Sequence, residues 1–402
     1  MSLPRETDIL VIGAGPAGLA AATVLAPSAR VLVLDRETSA GGIPRHCGHY
    51  PFGLREFRRL LKGPAYAQTL VRRAQAAGVH VATGVNVVSL LPGPRVAVTS
   101  NAGITEIDAK LVLLATGVRE SSRAQRLIGG EKPGGVMSTG ALQGLVYLEG
   151  RRPFRRPVIL GTELVSFSAI MTCAHAGIRP VAMIEPDPRV TARWPAAVYP
   201  HLKGIPLHLS TVITSIEGRE RVERVVIKGP KGESTIEADG VIVSGRFRPE
   251  ATLLDGSDLI RDPATGGPVI DSFGRCSDPS YFAAGNLLRP VETAGWSWAE
   301  GVAVGQAMRA ALAGRLPQGD TYEVKLIGEA LDWVVPQRVT GPDAVAFDRL
   351  QLRVTRSVAG RLTVKVGGSE YASRRIDTRP ERRITVPLPP RAGAVEIVLE
   401  EE

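Results

Sequence analysis

Apolar-rich runs without alternation recur through the first three quarters of this 402-residue chain, at residues 9–12 (ILVI), 30–34 (RVLVL), 107–114 (IDAKLVLL), 157–160 (PVIL), 181–184 (VAMI) and 281–284 (YFAA). Short runs of this kind suit strands buried on both faces, so they predict the parallel strands of an α/β sheet. Residues 54–77 carry helical periodicity with many arginines, and residues 79–98 alternate toward short strands. From residue 322 the pattern changes. RLQLRVTR, GRLTVKVGG, RRITVPLP and AVEIVLEE each alternate polar and apolar residues. These segments predict a small antiparallel β domain over residues 322–402, a sandwich or curled sheet, in which strands such as residues 361–366 offer free edges and charged faces.

Residues 8–21, DILVIGAGPAGLAA, join the first buried run to a helix through a glycine turn. Gly13, Gly15 and Gly18 have G-x-G-x-x-G spacing, with Pro16 and Ala17 opening the helix. The first glycine permits the turn, the second admits a pyrophosphate, and the third lets helix and strand pack closely. The free N–H groups of such a helix face the phosphates. The next run ends in Asp35, followed by Arg36, and a carboxylate there can accept the hydroxyls of an adenosine ribose. A second unit of this kind begins at PVILGTELVSFSAI, with Gly161 in place, Glu163 at the second glycine position and Ser166 at the third. Glu163 adds a Cβ and a negative charge where backbone should meet pyrophosphate, whereas Glu185 keeps the ribose-type acid. The unit is expected to keep the fold, as an NAD(P) site, a site for another nucleotide, or a relic.

The composition is that of a globular chain, 44% hydrophobic and 22% charged, too long for one core and suited to two or three domains. MSLPRETD lacks a leader pattern and no apolar run is long enough to span a bilayer, so a cytoplasmic protein without a membrane span is expected. The net charge of +9 raises nucleic-acid binding, with GRRPFRRP at residues 150–157 the densest basic cluster. Its prolines break helices and no aromatic-interleaved binding motif surrounds it, which argues against nucleic acid; a solvated linker, or a basic face toward acidic substrates or partners, fits. Cys47, Cys173 and Cys276 are far apart, without the spacing of a disulfide framework or a cysteine-held metal. Residues 39–53, SAGGIPRHCGHYPFG, read as a loop near a ligand. His46, Cys47 and His49 are its candidate catalytic side chains, and no metal site is expected from so crowded a set.

Together the G-x-G-x-x-G turn, Asp35, Gly41-Gly42 and Ala115-Thr116-Gly117 resemble the flavoproteins with two dinucleotide-binding domains, the superfamily of the pyridine nucleotide-disulfide oxidoreductases. The resemblance covers about residues 8–314. It implies an α/β fold of two Rossmann-like domains: a discontinuous FAD-binding domain over residues 1–117 and 246–320, and a degenerate NAD(P)-like domain over residues 118–245. It also implies non-covalent FAD, held by the glycine turn, Asp35, Arg36, Gly41, Gly42, Ile43, Ala115, Thr116 and Gly117, then by Gly285, Asn286, Gly295 and Trp296. The family's strand-end Gly-Asp beside the flavin ribityl chain reads Gly285-Asn286 here, and the helix opened by ETAGWSWAEGVAVG would turn its positive end to the flavin pyrimidine. Paired redox cysteines are missing. In this the chain resembles FAD subunits of bacterial hydrogen cyanide synthase and of opine, proline, hydroxyproline and sarcosine dehydrogenases or oxidases. That likeness implies a FAD-dependent dehydrogenase subunit that oxidises an amine, amino acid or related small metabolite. Its electrons would pass to partners, a [2Fe-2S] protein and a second flavin subunit. The alternatives are an NAD(P)H-dependent flavoprotein reductase and a FAD-holding relay subunit.

Overall fold

A computed structural model describes residues 3–192, 194, 196–317, 320–341, 346–389 and 393–402. Its first sheet is built on β1 (Glu6–Ile12), whose apolar side chains from Ile9 to Ile12 are buried on both faces. β1 lies between β2 (Val31–Asp35) and β6 (Gly103–Leu114), with Ile9 opposite both Val31 and Leu111. β3 (His80–Thr83) extends the parallel set beyond β2, and the strand Tyr281–Ala283 extends it beyond the end of β6. The chain therefore leaves this sheet after Leu114 and returns to it at Tyr281. A hairpin of β4 (Asn86–Leu91) and β5 (Arg95–Ser100) pairs antiparallel with the first half of β6.

Helix α1 (Pro16–Leu25) packs against the helix Ala294–Leu312. Small residues permit it. A Cβ on Gly301 would strike the Ala17 carbonyl, and one on Gly305 would lie 3.0 Å from the Ala21 Cα. The expected helix over residues 54–77 is two helices, Leu54–Phe57 and Gly63–Ala76. Arg58 has φ 52°, residues 52 and 61 bridge across the break, and Pro64 restarts the helix in its first turn, where its missing N–H costs nothing.

A second parallel sheet has the order Leu207–His208, Ala182–Ile184, Pro157–Leu160, Gly240–Val243, Val136–Ser138. An antiparallel meander of Val212–Glu217, Arg224–Gly229 and Gly232–Glu237 adjoins it. Val118–Arg119 and Arg248–Pro249 run side by side between the two α/β units. Within the basic cluster, the backbone N–H groups of Arg155 and Arg156 are tied to the carboxylate of Asp239, 2.7 and 2.6 Å away.

Beyond residue 320 two sheets, of five and three strands, enclose a core that includes Leu350, Leu352, Leu362, Val364, Val395 and Ile397. Alternation delivers one face of each strand to that core. Val324–Ile327 pairs parallel with Val395–Val398, so this β domain is antiparallel apart from one junction. Residues 361–366, expected to offer a free edge, do not. Their strand Val358–Val366 is paired on both sides, because the turn at Gly367-Gly368 folds Ser369–Thr378 back onto it and Val395–Glu401 covers the other side. The edge falls to Ser369–Thr378, whose Arg374 and Arg375 are the kind of charged residues that discourage edge-to-edge pairing. Among the described residues no helix is long and apolar enough to cross a membrane.

Candidate active site

A cleft of about 3410 Å³ is lined by both α/β units and by the C-terminal β domain. The glycine turn lines it. Gly13 has φ 109°, and a Cβ there would strike the Ala115 carbonyl, so the turn admits glycine alone. Gly18 packs against the Gly13 carbonyl. Gly15 is different: a Cβ there would have nothing within 4 Å, so the backbone faces open cleft, and no side chain caps the helix beginning at Pro16. Asp35 accepts hydrogen bonds from Ala14 N at 2.8 Å and Glu37 N at 2.9 Å, which aims its carboxylate along the turn. Burial pushes its pKa up, opposed by those two N–H groups.

Arg36, Gly42 and Ile43 line the cleft beside Asp35, and Ala115, Thr116 and Gly117 line it where β6 ends. Gly18, Gly41 and Gly285 do not line it but shape its wall; Gly41 N donates to the Ala14 carbonyl at 2.8 Å. Thr116 Oγ1 donates to the Glu250 carbonyl at 2.7 Å, tying the two connections between the α/β units together. Asn286, Gly295 and Trp296 line it as well. The Trp296 ring lies between the guanidinium groups of Arg55 and Arg383, 3.8 and 4.1 Å from its centre. That second arginine comes from the β domain, which no sequence pattern places at the site. The helix expected from residue 292 begins at Ala294 with Thr293 as its N-cap, and no side chain caps it.

The loop candidates separate. His46 is half-buried near Gly140 on the second unit, burial lowers its pKa, and its Nδ1 has no hydrogen-bond partner among the described residues. An imidazole held neutral in this way can take up a proton. His49 is half-buried and lines the cleft, with Nδ1 2.9 Å from the Tyr50 carbonyl and its ring 5.6 Å from that of Phe52. Cys47 is buried with Sγ 3.7 Å from Gln143 Oε1, and burial pushes its pKa up to about 12. A thiol held protonated is a poor nucleophile and a poor ligand. Burial likewise pushes Cys173 up to about 12 and raises Cys276. The native protein is therefore expected to take up no label from iodoacetamide at pH 8, whereas denatured protein takes up three; rapid labelling of one native thiol would contradict this. Because the cause is desolvation, reactivity should climb only as pH approaches the raised values.

Two polar side chains of the site, one half-buried and one buried, carried no sequence signal. The Glu120 carboxylate accepts from Gly140 N at 2.7 Å and Gly245 N at 3.1 Å, with its pKa raised by burial. Gln143 is buried beside Cys47 with its Nε2 unpartnered among the described residues.

In the second unit, Glu163 does more than displace a glycine. Its Oε1 accepts from Arg246 N at 2.6 Å and rests against Gly245, so its carboxylate closes the end of the strand Gly240–Val243. Burial raises its pKa. Glu185 is buried and accepts from Thr162 Oγ1 and from Asp187 N. Both carboxylates are thus engaged by their own chain.

Residues 7–307 match the pyridine nucleotide-disulphide oxidoreductase family. The chain belongs to this family. It is similar to the alpha subunit of sarcosine oxidase from Corynebacterium sp. (strain P-1), 31% identical over 62% of this chain and 27% of that one. It is also similar to a subunit of opine oxidase from Agrobacterium tumefaciens (strain Ach5), 29% identical over 69% of this chain and 61% of that one. The chain spans 27% and 61% of these two relatives' lengths. Among solved structures, thioredoxin reductase of T. acidophilum superposes with a TM-score of 0.64 at 22% identity, covering 77% of this chain and 100% of that one. L-proline dehydrogenase from P. horikoshii gives 0.60 at 21% identity, covering 77% and 56%. These two likenesses concern the fold. With the family match, they give the protein the fold of a two-domain flavoprotein, two Rossmann-like domains, here with an appended β domain. The cleft fits a flavin dinucleotide: an uncapped helix N-terminus, a turn open at Gly15 and a carboxylate at Asp35 stand in sequence along it.

Proposed function

We propose that the protein is one component of a larger dehydrogenase or oxidase, oxidising an amine, amino acid or related small metabolite and passing the electrons to another subunit. The observation that carries this reading is the closure of the second nucleotide unit by Glu163. A nicotinamide dinucleotide would have to bring its diphosphate against a carboxylate already bonded to Arg246 N, which disfavours NAD(P)H as the electron source. The relatives named as sarcosine and opine oxidase subunits support an amino-acid-like substrate and companion chains. The expected companions are a [2Fe-2S] protein and a second flavin subunit.

In this reading the dinucleotide runs from Gly13, Gly15 and Asp35 to the N-terminus of the helix Ala294–Leu312, with residues 1–117 and 246–320 as its domain. The bound flavin supplies two-electron oxidation. Gly15 and Pro16 present backbone to the diphosphate, and Trp296 walls the ring end. His46, whose Nδ1 has no hydrogen-bond partner among the described residues and whose imidazole burial keeps in the neutral form, is the member of the loop trio with a lone pair available for the substrate's proton.

Anaerobic reduction of the FAD-loaded protein tests this directly. N-methyl amino acids or related secondary amines are expected to bleach the flavin band, while NADH and NADPH bleach it slowly or not at all. Glu163→Gly should speed the NADH reaction about tenfold or more by removing the half-buried carboxylate. Bleaching of the wild type by NADH within milliseconds, with no response to any amine, would replace this reading by that of an NAD(P)H-dependent reductase.

A further inference from the structure

Asn286 stands where the family's strand-end aspartate is expected, and its amide is occupied. Oδ1 accepts from Glu292 N at 2.7 Å and Nδ2 donates to the Glu292 carbonyl at 3.1 Å. The two backbone groups dictate which end of the amide is which, so the assignment has one solution. This clasp closes the loop between the strand Tyr281–Ala283 and the helix Ala294–Leu312. It needs one donor and one acceptor together. An ionised aspartate has acceptors alone and would face the Glu292 carbonyl with a second oxygen. The β domain backs the clasp, because Arg353 and Arg383 lie 3.7 and 3.3 Å from the Glu292 carboxylate.

One turn on, Ser297 presents the opposite situation. The residue is 5% exposed, lines the cleft, and its Oγ has no hydrogen-bond partner among the described residues. A hydroxyl in a helix can satisfy itself on the carbonyl four residues back, but Ser297 Oγ makes no such bond to the Thr293 carbonyl. Its surroundings are Gly285, whose φ of 77° brings its backbone close, and Ala17 in the first turn of α1. A Cβ on Gly285 would lie 2.8 Å from the Ala17 Cβ and 3.8 Å from Ser297 Oγ. The hydroxyl therefore sits where the N-terminal turns of α1 and the helix Ala294–Leu312 converge on the cleft. Facing the cleft without a protein partner among the described residues, the hydroxyl is free to donate to a ligand oxygen there.

We propose that Ser297 supplies the side-chain hydrogen bond to the polyol–phosphate linker of the flavin dinucleotide, and that Asn286 is a loop clasp instead of a cofactor ligand. Ser297 Oγ donates to an oxygen of the linker, and no bond is made or broken. The proposal rests on the placement of the dinucleotide along Gly13, Gly15 and Asp35.

The test is titration of the apoprotein with FAD, followed by flavin fluorescence quenching, beside thermal unfolding of the same apoproteins. Ser297→Ala should weaken FAD binding about tenfold while leaving the apoprotein Tm where it is. Asn286→Asp, although it installs the residue expected in the family, should weaken FAD binding and also lower the apoprotein Tm. Undiminished FAD affinity in Ser297→Ala, or equal or tighter binding in Asn286→Asp, overturns the proposal. So does a fall in the apoprotein Tm of Ser297→Ala, which would make the hydroxyl a packing element. A Gly15→Glu protein that keeps its flavin would instead overturn the placement of the dinucleotide, so the two failures are distinguishable.

Discussion

Replacing Gly15 with glutamate is expected to give a folded but colourless protein, with FAD affinity reduced at least about 100-fold and the apoprotein Tm unchanged. Both halves follow from the space around the turn. A Cβ on Gly15 has nothing within 4 Å, so a longer side chain costs the fold nothing. The same chain directs a carboxylate into the mouth of an uncapped helix N-terminus, where it competes with and repels the two negative charges of a diphosphate. Two decades of affinity correspond to about 2.8 kcal/mol, which a single like charge at short range in a half-buried cleft can supply. Gly13→Ala and Gly18→Ala should behave in the opposite order. Their Cβ atoms would strike the Ala115 and Gly13 carbonyls, so the fold suffers first and flavin loss follows from it. Absorbance of the purified proteins and their apoprotein melting curves separate the two classes. A yellow Gly15→Glu protein would show that the dinucleotide does not approach this turn.

The features legible in the sequence are those encoded within a few residues. The run from Ile9 to Ile12, the glycines after it and Asp35 at the end of the next strand are one local unit, because β1, α1 and β2 are consecutive and their packing is set by the spacing. The same holds for Glu163, whose misfit in a glycine turn shows without coordinates. What stayed hidden depends on pairs far apart in the chain. Glu120 gains meaning from Gly245, and Trp296 from Arg55 and Arg383. The β domain looked like an appendage because its alternating strands advertise only its own core. The break in the expected helix over residues 54–77 shows another limit: periodicity continued through residues 58–62, and only Pro64, read as a first-turn residue, pointed to a restart. Asn286 illustrates a third. Its motif position suggested a cofactor contact, while its amide is engaged by Glu292, only six residues away, a pairing that the motif does not advertise.

Deleting residues 321–402 is expected to destabilise the remaining flavoprotein severely, lowering its Tm by more than about 10 °C or leaving it insoluble. The β domain completes the core of the first unit. Trp333, Val335 and Phe347 belong to the cluster that contains Ile9, Leu113 and Phe282, and their loss uncovers it. Backbone is exposed as well: Arg338 N donates to the Ile270 carbonyl at 3.1 Å, and Ala346 N and Phe347 N to the Ser272 carbonyl at 2.9 and 3.0 Å. Arg289, fully buried, pairs with Glu300 and also donates to Gln351 Oε1 of the β domain at 2.9 Å. Glu292 would lose both of its guanidinium partners, Arg353 and Arg383. Removing partners from buried charges costs about 3–5 kcal/mol each time, and each kcal/mol is worth roughly 2–4 °C in a chain of this size class. Thermal unfolding of the truncated chain checks this, with Gln351→Ala as a milder arm expected to lose only a few degrees. A truncated protein that melts with the full-length one would make the domain a detachable module. If the expected loss is seen, truncation is no test of subunit docking, and a charge reversal on the exposed edge strand Ser369–Thr378, Arg375→Glu, is the informative change. Native-host co-purification should then lose the proposed companion chains while the Tm holds, since Arg375 is an exposed side chain whose one ion pair among the described residues is with Glu402.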